Sequence, residues 1–322
     1  MALGILAIGG YLPKARLQRI DIAKANAWFN PALKGLANGE RTMANWDEDS
    51  VTMAVEAGRD CLTGIDRNTV AGIYMASTSF PFQDRQNAGI VADALNLSTR
   101  IQTLDISSSQ RAGSSALLTA LQSVRSAEGP ILVSASEKRR ARAASPLELT
   151  TGDGAAAVLV GEGEPIAHYI GGHTEAVDFV DHYRGEGEAF DYNWEERWVR
   201  DEGYMKIAPN AINNLLDKVG VSAQDIDTFC FPVAMRRVAS GLARKIGIAE
   251  ESVADNLQSR CGETGSAHAL VLLVHALEQA KPGEKILVAG FGQGCDVLLF
   301  EATDAIKADR KSTRLNSSHA LI

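Results

Sequence analysis

The sequence predicts an α/β fold of five layers, αβαβα, assembled from two pseudo-duplicated halves. Three observations carry this expectation: two segments match internally without gaps, short apolar strands alternate with longer helices, and Gly and Ala are abundant while aromatics make up only 6%. Small residues let helices approach sheets and one another closely, which a fold of stacked layers requires.

The internal match pairs DISSSQRAGSSALLTALQSVRSAEGPILVSASE (105–137) with RCGETGSAHALVLLVHALEQAKPGEKILVAGFG (260–292). At constant offset Ala112 falls on Ala267, Leu117 on Leu272, and Ile131, Leu132 and Val133 on Ile286, Leu287 and Val288. Each segment reads as a small-residue turn, an Ala/Leu-rich helix, a Gly-containing loop and an apolar strand. Each is followed by a Gly-rich turn and a further strand, Ala155–Val160 and Val297–Phe300.

The repeat extends upstream. Val51, Ala54, Val55, Ala57 and Leu62 fall close to helical spacing over 50–62, with Asp47 or Asp49 available as N-cap. The acidic turn 64–66, strand Ile73–Ala76 and a helix near 84–95 follow. In the second half a helix near 205–218 leads to the acidic turn 222–227, strand Thr228–Phe231 and a helix near 235–246. Strands alternating with helices of 10–15 residues indicate mostly parallel sheets with helical crossovers. The halves are expected at 1–165 and 166–305. Between them, Gly171 to Gly203 is polar and aromatic and reads as a loop-and-helix insertion over one face, where substrate covers are often placed.

A net charge of −8 argues against nucleic acid as a partner. The longest apolar run, Ala267 to Ala276, is interrupted by His268 and His275 and is too short to span a bilayer. Cys61, Cys230, Cys261 and Cys295 lack CxxC spacing and read as reduced thiols in a cytoplasmic protein. The polar tract RKSTRLNSSHALI (310–322) resembles translated adapter sequence and is set aside. On that reading the natural chain was cut short and a downstream domain or a partner subunit is missing.

Six stretches, in order, carry a family resemblance: GILAIGGYLP, NWDEDSVTMAVEAG, TGDGAAAVLV, DFVDHYR, KPGEKILVAGFGQG and DVLLFEA. Together they resemble the thiolase-like superfamily, in its 3-hydroxy-3-methylglutaryl-CoA synthase and ketoacyl-ACP synthase III-like group, over nearly all of 3–303. The resemblance implies the thiolase fold, a dimer, a CoA thioester as substrate and no bound cofactor. It also implies four catalytic positions, and all four depart from the pattern. Gln110 stands for the nucleophilic Cys, Pro232 for the His, Glu263 for the Asn and Thr78 for the acid/base Glu. A Gln amide cannot form an acyl intermediate, so condensation through an acyl-enzyme is not expected here.

The helix starting near Gln110 still directs its N-terminal amides at the reaction centre. Gly292 and Gly294 either add an N–H near a thioester oxygen or simply turn the chain. Glu263 is either an acid/base or a group that caps the helix or interacts with its dipole. His268 and His275 read as packed core histidines, and Cys261 and Cys295 as small buried hydrophobes, with a relocated nucleophile as the alternative. Asp105 reads as a group that caps or pairs locally. Lys138, Arg139, Arg140 and Arg142 read as a solvated loop that could attract a CoA phosphate. No His, Cys or carboxylate cluster has metal-ligand spacing. Three functions remain open: acyl-CoA chemistry that forms or cleaves a C–C bond without a covalent Cys, a non-catalytic partner subunit of a cysteine-bearing condensing enzyme, and a CoA-dependent binding module.

Overall fold

The computed structural model describes residues 2–306; the tail predicted over 310–322 lies outside the described residues. Nine strands hydrogen-bond in one order: β1 (Ala2–Tyr11), β2 (Gly72–Ala76), β3 (Gln102–Ile106), β4 (Ile131–Glu137), β5 (Gly154–Gly163), β6 (Ala167–Ala176), β7 (Thr228–Cys230), β8 (Lys285–Phe291) and β9 (Gly294–Ala302). Spatially they run β7-β8-β9-β6-β1-β5-β4-β2-β3.

The two sides of this order repeat one plan. On one side β1 pairs antiparallel with β5 and β5 with β4, then β2 and β3 add in parallel. On the other, β6 pairs antiparallel with β9 and β9 with β8, and β7 adds in parallel. Val253 bridges in parallel to Phe229 where a fifth strand would lie. β1 and β6 join the sides through only two pairs, Gly4 with His168 and Ile5 with Ala167.

Alternation along the strands assigns the layers. Tyr74, Val133, Val158, Val288 and Phe300 face a shared core with helices α3 (Ala112–Ser123) and α6 (His268–Gln279), so strands of both sides cover these two helices. Ile73, Met75, Leu132 and Leu159 face outward onto α1 (Ser50–Cys61) and α2 (Asn87–Ala94). Phe229, Leu287 and Leu299 face α4 (Ile207–Val219) and α5 (Val238–Ile246). The result is the five-layer αβαβα arrangement.

At the centre α3 meets the turn before α6. A Cβ on Gly113 would lie 2.3 Å from the Ser266 carbonyl oxygen, so the contact needs glycine. The N-cap of α1 is Asp49, whose side chain accepts the Thr52 N–H at 2.8 Å while Thr52 returns a bond to the Asp49 N–H. Asp105 is a cap as expected, though not a local one: it accepts the N–H groups of Asn87 and Ala88 at 2.8 and 2.7 Å, starting α2 at residue 87 rather than 84.

Three expectations need correction. The strands are not mostly parallel: five of the eight pairings among the nine strands are antiparallel, because β5 and β9 each run against the strands on both of their sides. Residues 171–176 are strand, not insertion, because β6 runs to Ala176. Arg139 is not solvated; its side chain is 6% exposed and sits inside an ion-pair cluster.

Candidate functional site

The turn 107–109 between β3 and α3 carries Ser108 in the left-handed region, φ 69°, an unfavourable conformation for a residue with a Cβ. Contacts from the other side of the molecule hold the turn in place. Ser109 Oγ and Arg111 Nε both donate to the Gly292 carbonyl, at 2.8 and 2.9 Å. Arg111 Nη1 also reaches Asp296 Oδ1 at 2.6 Å, and this buried carboxylate accepts from Ser114, Ser115 and Thr174 as well. Gly292 packs so closely that a Cβ there would lie 3.0 Å from the backbone nitrogens of Gln110 and Arg111. Gln110 is therefore fixed at the mouth of α3, where the helix dipole is positive.

Gln110 lines a chamber of about 280 Å³ with Thr78, Ser107, Ser108, Ser109, Asp181, His182, Arg184, Asp191 and Gly292 among its walls. Thr78, Ser107 and Arg184 also line a larger cleft of about 1140 Å³. The cleft's lining includes Arg41, Lys138, Arg140, Trp46, Phe80 and Phe82.

Of the four positions singled out in the sequence, the structure brings Thr78 and Gln110 together on the chamber wall; Pro232 and Glu263 are not among its residues. Thr78 donates from its N–H and its hydroxyl to Glu137 Oε2, at 3.0 and 2.9 Å. Glu137 is fully buried and also accepts from the Ser266 hydroxyl at 2.6 Å and from Ser77. Its carboxylate thus ties the end of β2 to the turn before α6, a role the sequence did not reveal. Gly265 belongs to that turn at φ 56°, and a Cβ on it would lie 2.5 Å from Glu137 Cγ.

Glu263 is neither a free acid/base nor a helix cap. Its carboxylate lies 3.2 Å from Arg139 Nη1, while the cap positions before α6 are Thr264 and Ala267. Arg139 continues to Asp191 Oδ2 through Nε at 3.0 Å and Nη2 at 2.7 Å, and Arg184 takes Asp191 Oδ1 at 2.9 Å. Burial opposes the Arg139 charge, but Glu263 and Asp191 outweigh it and hold the guanidinium firmly protonated. Burial likewise opposes ionisation of Asp191, and the two arginines overcome it, keeping that carboxyl below the usual range. Arg184 also donates to the Thr78 carbonyl. The cluster clamps the segment after β6 onto the body beside the chamber.

Gly292 does not offer its N–H to a ligand, because it donates to the Gly294 carbonyl at 3.0 Å. Gly294 is outside the chamber walls and is needed as glycine at φ 118°, where a Cβ would lie 2.0 Å from the Glu175 carbonyl oxygen. The histidines of α6 are core residues. His268 Nδ1 faces the Thr264 N–H and hydroxyl, Nε2 lies 3.0 Å from the Asn256 carbonyl, and burial lowers its pKa. Burial pushes the Cys261 thiol up to about 12 and the Cys295 thiol higher, so neither is poised as a nucleophile. Among the described residues no three His, Cys, Asp or Glu side chains converge as a metal site.

The residue that sequence reasoning passed over is His182, in the DHYR stretch. Its Nε2 lies 3.1 Å from Gln110 Nε2, a contact across 72 positions of sequence. The signals for it were its place in DFVDHYR, one of the six stretches that carry the resemblance, and the polar and aromatic character of the insertion.

Comparison with known proteins places the chain. Hydroxymethylglutaryl-CoA synthase of Caldivirga maquilingensis is 30% identical over 98% of this chain and 92% of its own length. The chain belongs to the hydroxymethylglutaryl-CoA synthase family. A second family member, from Pyrococcus horikoshii, is 28% identical over 95% of this chain and 88% of its own. Residues 216–298 match the C-terminal family model of 3-oxoacyl-[acyl-carrier-protein] synthase III. Among solved structures, 3-oxoacyl-(acyl carrier protein) synthase III of Pseudomonas aeruginosa superposes with a TM-score of 0.83 at 20% identity, covering 94% of this chain and 98% of its own. An HMG-CoA synthase complexed with CoA gives 0.81 at 21% identity, covering 98% of this chain and 86% of its own. At these identities the superpositions establish the thiolase fold that the family shares.

Proposed function

We propose that this family member binds acyl-CoA thioesters and makes or breaks a C–C bond without an acyl-cysteine intermediate. The observation that carries the reading is Gln110 at the mouth of α3, in a chamber that adjoins a cleft large enough for an extended ligand. The position gains from the helix dipole but offers no thiol. The relatives' names and the CoA complex of the related synthase support a CoA thioester as ligand. The exposed Arg140 in the cleft's lining fits a phosphate-bearing substrate. We assign the working form as a dimer on the family resemblance alone.

The test is incubation with acetyl-CoA and a panel of longer acyl-CoAs, followed by calorimetry and by mass spectrometry after a denaturing quench. Micromolar binding with no retained acyl group is expected. A stable acyl adduct on any side chain would refute the non-covalent part. A second reading, the non-catalytic partner subunit, draws on the engagement of Glu263 by Arg139. It predicts that turnover appears only after a cysteine-bearing condensing subunit is added.

A further inference from the structure

His182 enters the chamber on a short ribbon, His182–Tyr183 paired with Tyr192–Asn193. Its contacts define its state. Nδ1 lies 3.0 Å from Asp181 Oδ1, and the same oxygen accepts the backbone N–H of His182 at 2.8 Å. An ionised carboxylate only accepts, so the Nδ1 proton is placed there. Nε2 is left with its lone pair facing the Gln110 amide nitrogen at 3.1 Å. This tautomer is the one in which a histidine takes a proton at Nε2.

A second observation points to a ligand. Gln110 Oε1 is buried and has no hydrogen-bond partner, although its side chain lines the chamber. A buried acceptor left unmade is costly, and displacement of the amide from His182 by a ligand would release the side chain to satisfy it. The other charged groups facing His182 are accounted for: Asp191 lies between Arg139 and Arg184, and Arg111 is bound to Asp296.

We propose that His182, oriented by Asp181, is the acid/base catalyst of this chamber, and that its substrate is a β-hydroxyacyl-CoA thioester. The inference rests on the acyl-CoA reading above. In the cleavage direction the β-hydroxyl displaces the Gln110 amide from Nε2, which then takes its proton. The O–H pair becomes the second bond of a new carbonyl, the Cα–Cβ bond breaks, and its electrons pass into the thioester as an enolate at the positive end of α3. The imidazolium then returns the proton to Cα. The products are a carbonyl compound and a shorter acyl-CoA; the reverse is an aldol addition. No oxidant, reductant or acyl-enzyme is involved. Gln110 positions the ring and the hydroxyl.

The test uses the full chain with 15N-labelled histidine. It is titrated with 3-hydroxybutyryl-CoA and 3-hydroxy-3-methylglutaryl-CoA, with calorimetry in parallel and with acetaldehyde or acetoacetate as the measured product. Binding should move the His182 ring nitrogen resonances, assigned with His182→Gln. That variant should lose about a hundredfold or more in kcat while KM changes less than about threefold. Asp181→Asn, which keeps the ribbon's local bond, should alter the pH profile of turnover. Binding that leaves the His182 resonances in place, binding without carbonyl product, or full activity in His182→Gln would each overturn the proposal and leave the acyl-CoA reading standing. Absence of binding by every thioester would remove that reading and the proposal together.

Discussion

Replacing Arg139 by Met removes the guanidinium that joins two carboxylates while keeping a side chain of similar length. Arg139 and Asp191 are 6% and 3% exposed, so the loss uncovers a buried anion rather than a hydrated one. Breaking a buried pair by removing one partner costs about 3–5 kcal/mol. The lower end applies here, because Arg184 still holds Asp191 Oδ1 and the Glu263 side chain, 18% exposed, regains water. At about 2 °C per kcal/mol for a chain of this size, the melting temperature should fall by about 6 °C. Urea unfolding of Arg139→Met, Asp191→Asn and the double variant isolates the coupling, expected at about 2 kcal/mol. The contribution of Asp191 also has a defined pH window. Its folded-state pKa is depressed, so the stability is present above the unfolded value of about 4 and is lost as pH falls through the folded value. Asp191→Asn should flatten that part of the acid limb. A change in Arg139→Met below about 0.5 kcal/mol would refute the clamp.

Gly113→Ala tests the approach of α3 to the turn before α6. Alanine normally stabilises a helix interior by about 0.5–1 kcal/mol, but here its Cβ would stand 2.3 Å from the Ser266 backbone oxygen. The variant should be destabilised by about 1–3 kcal/mol in urea; a stabilised variant would show that the helices do not meet at this point. His268 supplies a second pH dependence of known sign. Burial lowers its folded-state pKa, so the unfolded chain takes up the extra proton and stability should decline as pH falls below about 6.5. Unfolding midpoints from pH 7.5 to 5 should show that slope, reduced in His268→Gln; identical slopes would place the titration elsewhere.

Periodicity and internal repetition were enough to read the layers. The apolar faces of α1, α3 and α6 and the runs at 73–76, 131–133 and 286–288 are local patterns, and burial of an apolar face leaves few arrangements open. The reading failed where a neighbour decides the meaning of a residue. Gly171 and Gly172 look like chain breakers, yet they sit inside β6 because Val219 and Leu118 pack against them, where a Cβ would lie 2.6 and 2.7 Å from those side chains. Arg139 resembles its exposed neighbour Arg140 in sequence; only the fold brings Asp191 and Glu263 to it, 52 and 124 positions away, and so makes its burial tolerable. That position 110 carries an amide and no thiol is a matter of residue identity, legible without any fold. That this amide faces His182 was decided by the tertiary structure alone, since a hydrogen bond between a helix mouth and a distant ribbon has no periodicity and leaves no local trace.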